Sequence, residues 1–287
     1  MNRAYRRLAL SSAVAVTVMA AAALGPGLHG QAAAGHSAAV VLPRANSITY
    51  VASSGFLIWA GDKKVLVDAL FDGFPGAYAP PPVVQQPLLD GKAPFDGIDL
   101  VLATHRHADH FTANAVTRCL RSSPRAAFVA PADAARQVTG FAGRVYPVEV
   151  AEGQRTHLEV NGIGIDAMPL SHGVPPPGAT GIVNLGYLIT IGNRRFFHTG
   201  DISAEVLTAA YMKPFNLPAE HIDVAFVPHF LLSTQAPLPL VTESIQPRVV
   251  FASHLQYTGE PPNAGRIKRN YPSAVVLSAE MESWPIK

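Results

Sequence analysis

The sequence predicts a mixed α/β domain, and three observations carry that prediction. Short apolar runs alternate with polar or glycine-rich turns, hairpin-spaced runs precede any helical pattern, and strand-like and helical segments then alternate towards the C-terminus. With 287 residues, 48% hydrophobic and 15% charged, the chain is long enough for one domain with a sizeable core, and no repeat of fixed period is present.

The N-terminus is set apart from that domain. Arg3, Arg6 and Arg7 precede an apolar run from Leu8 to Leu24, Gly25-Pro26-Gly27 breaks it, and Ala32-Ala33-Ala34 offers the small residues at which a signal peptidase cuts. Residues 1–34 therefore read as a signal peptide, 35–46 as a flexible junction and 47–287 as the folded domain. The apolar run approaches a spanning length, so an uncleaved anchor is the competing reading. Arg6-Arg7 with Leu8 and Leu10 partly resembles a twin-arginine signal. The expected location is periplasmic or extracellular, with membrane contact only during export. Removing residues 1–34 leaves 19 basic against 20 acidic side chains, a net charge of −1, and a nucleic-acid-binding body would be far more basic. Cys119 is the only cysteine, which excludes an intrachain disulfide and thiolate-rich zinc sites.

Within the domain, strands are predicted at Ile48 to Ala52, Phe56 to Ala60 and Val65 to Val67, the last two joined through Gly61-Asp62. The Pro-rich stretch from Phe71 to Pro94, with Pro80-Pro81-Pro82, reads as a long surface loop. A buried strand at Asp99 to Thr104 follows, then a helix at Thr112 to Arg121, a strand at Ala126 to Ala130 and a helix at Pro131 to Val138. Further strands are expected at Val145 to Val150, Ile163 to Leu170, Val183 to Ile191, Arg195 to His198, Val224 to Val227, Arg248 to Ala252 and Ala274 to Leu277. Helices are expected near Ala204 to Tyr211 and Leu240 to Gln246.

One segment carries chemistry: Thr104-His105-Arg106-His107-Ala108-Asp109-His110. The chain has eleven histidines, yet three of them fall within six positions where a buried strand gives way to a helix. Extended backbone sends residues two apart to the same side, so His105, His107 and Asp109 can converge. Imidazole and carboxylate lone pairs gathered at a strand end suit Zn²⁺.

HxHxDH after an apolar strand resembles the signature of the metallo-β-lactamase superfamily. The resemblance implies an αββα sandwich with the metal site at the edge between the two sheets, and makes 47–287 a metal-dependent hydrolase domain. It also implies the remaining ligands: His172 in Pro169-Leu170-Ser171-His172, Asp201 in His198-Thr199-Gly200-Asp201, and His254 after Val249 to Ser253. By this likeness His105, His107 and His172 form one site, Asp109, His110 and His254 a second, and Asp201 bridges two zinc ions, with Mn or Fe as alternatives. Asp68, ending Val65-Leu66-Val67-Asp68, resembles the family's early aspartate that orients a ligand histidine, and equally reads as a turn former. Thr49-Tyr50-Val51, His198 to Asp201 and Ile245 to Arg248 look most like the branch containing ascorbate-6-phosphate lactonase. Ala69, where relatives often have proline, and the added His229 depart from it.

The implied function is hydrolysis of a small ester, lactone or phosphodiester by a zinc-activated hydroxide that Asp109 helps to orient. His229 is a candidate for substrate binding or proton transfer. β-Lactamase activity, phospholipase D-type activity and a non-catalytic exported metal-binding protein are the alternatives. A β-lactamase would carry cysteine or serine at the Asp201 position, and a di-iron oxygen-reducing relative glutamate at that of His107.

Overall fold

In the computed structural model, which describes residues 44–72, 80–174, 181–203, 208–235, 237–255, 263–277 and 279–287, the early apolar alternation becomes an antiparallel meander. Strands β1 (Ser47–Ala52), β2 (Gly55–Ala60) and β3 (Lys63–Val67) pair in order, and Ala60 opposite Lys63 leaves Gly61-Asp62 as the predicted turn. The expected signal peptide, most of the expected junction, residues 73–79 of the Pro-rich stretch and residues 204–207 of the expected Ala204 to Tyr211 helix lie outside the described residues.

The Pro-rich stretch is not simply a loop, because it contains helix α1 (Pro82–Leu89). Pro82 stands at the start of the helix, where a missing N–H costs nothing and a fixed φ helps. Pro87 removes one helical hydrogen bond, and burial of Val84, Leu88 and Leu89 offsets that loss. Strands β4 (Leu100–Leu102), β5 (Ala127–Pro131) and β6 (Val145–Val148) then add parallel to β3, with α2 (Ala113–Ser122) and the short α3 (Ala132–Ala135) in the crossovers.

The second half repeats the plan. A meander of β7 (Thr156–Val160), β8 (Ile163–Pro169), β9 (Leu185–Ile191) and β10 (Arg194–His198) is followed by α4 (Ala209–Met212) and β11 (Val224–Pro228). Then come α5 (His229–Leu232), a π-helical turn at Leu240–Ile245, β12 (Val249–Ser253), α6 (Ala264–Asn270) and β13 (Ser283–Pro285). The sheets run β13-β1-β2-β3-β4-β5-β6 and β12-β11-β10-β9-β8-β7. Ala274 to Leu277 forms no strand; only Val275 bridges to Phe251.

Side-chain alternation makes the layers. Phe56, Ile58, Val65, Val67, Leu100 and Leu102 share one buried cluster with Ile165, Phe196, Phe226 and Phe251 of the second sheet. The intervening Leu57, Leu66 and Val101 belong to another cluster with α1 and with Val116, Cys119 and Leu120 of α2. A period of two thus sends alternate residues to the sheet–sheet and sheet–helix layers, the arrangement of an αββα sandwich. Strands β3 and β4 run parallel, and so do β8, β10, β11 and β12, so their C-terminal ends gather at one edge of each sheet. The edges are tied to one another: Leu185 N–H donates to Thr104 O at 2.9 Å, Tyr187 Oη to Ala103 O at 3.0 Å, and Tyr50 Oη to Leu255 O at 2.6 Å. No helix among the described residues is long and apolar enough to cross a membrane.

Candidate metal centre

The loop after β4 supplies the first ligand candidates because it turns back on itself. The N–H groups of His110 and Phe111 both donate to His107 O, and Thr112 then caps α2 through Ala115 N–H. His105 and His107 converge, as alternation predicts, with Nε2 and Nδ1 3.1 Å apart. His172, after β8, brings its ring to 4.9 Å from His105 and 4.7 Å from His107. Asp201 follows β10 and His254 follows β12, and His254 Nε2 lies 3.0 Å from Asp201 Oδ2 and 3.3 Å from Asp109 Oδ2. The structure therefore brings together all seven expected ligands. They form three overlapping sets, His105/His107/His172, Asp109/His110/His254 and His105/His110/Asp201, each with donor atoms within 4.8 Å of one another.

One buried carboxylate orients two of the histidines. Asp68, held at φ +48°, accepts from Thr104 N–H at 2.7 Å, from the Thr104 hydroxyl at 2.7 Å and from His110 Nδ1–H at 2.8 Å. With its proton committed to Asp68, the Thr104 hydroxyl accepts from His105 Nδ1–H at 3.1 Å. His105 thus keeps a lone pair on Nε2, and His110, with Nδ1–H committed to Asp68, presents its lone pair on Nε2 once the second proton leaves, the form a metal requires. Asp68 is a turn residue and an orienting residue at once.

Sequence reasoning missed Asn184, which sits just before β9. Its amide donates to Leu170 O and Thr199 O, and its Oδ1 accepts from Asp201 N–H, so it clamps the segments that carry His172 and Asp201. A Cβ on Gly200, at φ +61°, would stand 2.1 Å from Asn184 Oδ1, so glycine is required there. A lone amide opening an apolar strand is the signal that could have found it. His198 is structural: Gly200 N–H donates to its Nδ1, and its Nε2–H donates to Ser54 O.

The electrostatics of the sets differ. Burial, then His110, holds His105 well below the usual imidazole range, and burial with His172 lowers His107. Burial opposes charge on His110, yet Asp201 and Asp68 outweigh it and raise its pKa well above normal. Burial likewise opposes charge on His254, but Asp109 and Asp201 raise its pKa to about 9. Asp201 is held well below the carboxylate range by His110 and His254 against its own burial, and Asp109 is lowered in the same way.

These residues fit a metal. His172 Nε2 and Asp201 Oδ1 are buried without a hydrogen-bond partner, a costly state for groups that cations bind. The donors are imidazole nitrogens and carboxylate oxygens, a set suited to Zn²⁺, while Cys119 lies buried in the helix layer. His229 belongs to none of the donor sets among the described residues. It opens α5 with its ring 6.3 Å from that of His254. Asn263, whose Oδ1 accepts from Arg266, offers its Nδ2 to His229 Nδ1 at 3.1 Å, which places the His229 proton on Nε2. Burial, then His254, pushes its pKa down to about 4, so it is a neutral donor at pH 7.

Two stacked mixed sheets with a histidine–aspartate cluster at their common edge define a metal-dependent hydrolase of the metallo-β-lactamase fold. Residues 63–256 match the Beta-lactamase superfamily domain, and the chain belongs to that superfamily. It is 29% identical over 224 residues to a metal-dependent hydrolase of Thermococcus kodakarensis, covering 76% of this chain and 87% of the relative. The fold is similar to that of Igni18, a metallo hydrolase from Ignicoccus hospitalis, at a TM-score of 0.55 and 20% identity over 84% of this chain and 99% of that one. It is also similar to YhfI, a metallo-beta-lactamase fold protein of Bacillus subtilis, at a TM-score of 0.55 and 15% identity over 83% and 98% of the two chains.

Proposed function

We propose that the protein is an exported hydrolase of a small ester, lactone or phosphodiester, in which His105, His107 and His172 hold one zinc ion, Asp109, His110 and His254 a second, and Asp201 lies between them. The observation that supports this most is that the His105/His110/Asp201 set joins the other two through His105 and His110, together with the unpartnered His172 Nε2 and Asp201 Oδ1. Mn or Fe suits the same donors. When bound, such a pair supplies a water deprotonated near neutral pH and Lewis acidity towards the scissile bond.

The chain's own groups do the rest. Asp109 accepts a hydrogen bond from the attacking water and so directs a lone pair at the substrate. Asp68 and Thr104 keep His110 and His105 in the binding tautomer. His229, fixed as an Nε2–H donor, hydrogen-bonds the oxygen on which negative charge develops, rather than acting as a cationic acid. The substrate is a small molecule and no nucleic acid is involved. Elemental analysis of the purified protein, followed by a hydrolysis panel of lactones, phosphodiesters and β-lactams, tests the reading. Two metal equivalents and turnover of one class are expected. A content below one equivalent after zinc or manganese supplementation defeats the dinuclear site.

A further inference from the structure

Beside the donor cluster lies a cleft of about 450 Å³, a size that suits a small ligand. His172 and Asp201 are among the residues that line it, so whatever occupies it meets the metal donors. Away from those donors its apolar side is formed chiefly by Phe230, 38% exposed and a large ring left in contact with solvent, with Pro237 and the buried Ile202 and Leu231 beside it. Ser203 and Thr234 contribute hydroxyls.

No lysine or arginine lines the cleft among the described residues. Arg106, inside the histidine motif, is turned to Asp133 at 3.0 Å, and Arg266 donates to Asn263. Segments 73–79, 175–180, 204–207 and 256–262, with positions 236 and 278, contain no lysine or arginine either, and include Glu205 and Glu260. Sites that select phosphate or carboxylate groups place guanidinium or ammonium donors on them. A phosphodiester bound through one oxygen at the metal donors would find no guanidinium or ammonium on this wall to hold its second oxygen, whereas an uncharged ester needs none.

We infer that the cleft selects an uncharged carboxylic ester or lactone, with its apolar flank against Phe230, Leu231 and Ile202, over phosphate esters. This rests on the hydrolase reading above and narrows it. Water adds its oxygen to the acyl carbon, the acyl C–O bond breaks, and one proton passes to the departing alkoxide. A linear ester gives an acid and an alcohol, and a lactone gives one hydroxy acid.

The test compares p-nitrophenyl acetate, p-nitrophenyl hexanoate and bis(p-nitrophenyl) phosphate on the zinc-loaded protein, with calorimetric binding of hexanamide and acetamide as a readout independent of turnover. The kcat/KM for hexanoate should exceed that for acetate by at least about tenfold, since each methylene in an apolar pocket discriminates strongly. The phosphodiester should be the slowest of the three. Phe230→Ala should bring the hexanoate-to-acetate ratio towards one, and Thr234→Arg, adding a cation at the wall, should raise phosphodiester turnover relative to hexanoate. A phosphodiester hydrolysed faster than hexanoate, or a flat chain-length dependence, overturns the inference. If no substrate is turned over but hexanamide binds tenfold more tightly than acetamide and loses that margin in Phe230→Ala, the hydrolase reading fails and the selectivity of the cleft stands. Hexanamide that binds no better than acetamide ends it.

Discussion

The His105/His107/His172 set and the Asp109/His110/His254 set share a sheet edge but are prepared for cations in opposite ways. In the first, burial strips His105 and His107 of their protons. In the second, Asp201, Asp109 and Asp68 hold protons on His110 and His254, so that ion pairs balance the charge. One set therefore presents bare lone pairs, whereas the other must release protons before it can bind a cation, and metal loading becomes a proton exchange on one side only.

The severest way to break this comparison is to remove the residue that lies between the two sets. Asp201→Ala should cost about a thousandfold or more in turnover and at least one metal equivalent, since it takes away the carboxylate between the sets. Circular dichroism should show the fold retained. A variant with both metals and full turnover would mean that Asp201 is no ligand.

Replacing the buried orienting carboxylate tests the sets unequally. Asp68→Asn should weaken metal binding at the second set by roughly ten- to hundredfold, the usual effect of losing an orienting partner. The first set, reached only through Thr104, should suffer less. Competition with a chelator measures both affinities, and equal losses would contradict the wiring.

Zinc affinity of the second set should rise with pH up to about 9, where His254 loses its proton, by about tenfold per pH unit for each proton displaced. His105 and His107 contribute no such slope near neutrality. In the metal-free protein the linkage runs the other way. The stability that His254 gains from its carboxylate partners is fully present below its ordinary pKa of 6.5 and is lost as pH rises through about 9. Titrations at pH 6, 7 and 8 with proton release recorded would show it, and identical slopes at both sets would remove the distinction.

The smallest effect on the metals is expected from His229→Ala, which should retain both and lower kcat by about a hundredfold, the lower end for losing one donor to developing negative charge. Loss of a metal equivalent would instead make it a ligand.

Those features that rest on local pattern were legible in the sequence. The β1–β3 meander follows from alternating apolar residues, and the histidine motif from its density at a strand end. Helix α1 was hidden because prolines argue against a helix, yet Pro82 stands in its first turn and burial of Val84, Leu88 and Leu89 carries Pro87 in its interior. Strand β13 escaped because Ser283–Pro285 is short and exposed, with only its pairing to β1 to define it. The Ala274 to Leu277 run has strand-like composition yet makes a single bridge, since apolar burial there comes from filling the core. His172, Asp201 and His254 were found through family likeness rather than spacing, and Asn184 was missed because its bonds reach segments 14 to 17 residues away.

The ties between the two sheet edges also bear on when the centre comes into being. Asp68 and the histidine motif belong to the first sheet, while His172, Asp201 and His254 belong to the second, and the Leu185–Thr104 and Tyr50–Leu255 bonds close the gap between them. Neither half holds a complete set of donors alone. As the chain emerges during synthesis, the imidazole set is complete in sequence once His172 has appeared, but the ion-paired set must wait for His254. Metal occupancy is thus a gauge of docking between the halves, and a chain that stops short of His254 lacks the ion-paired set.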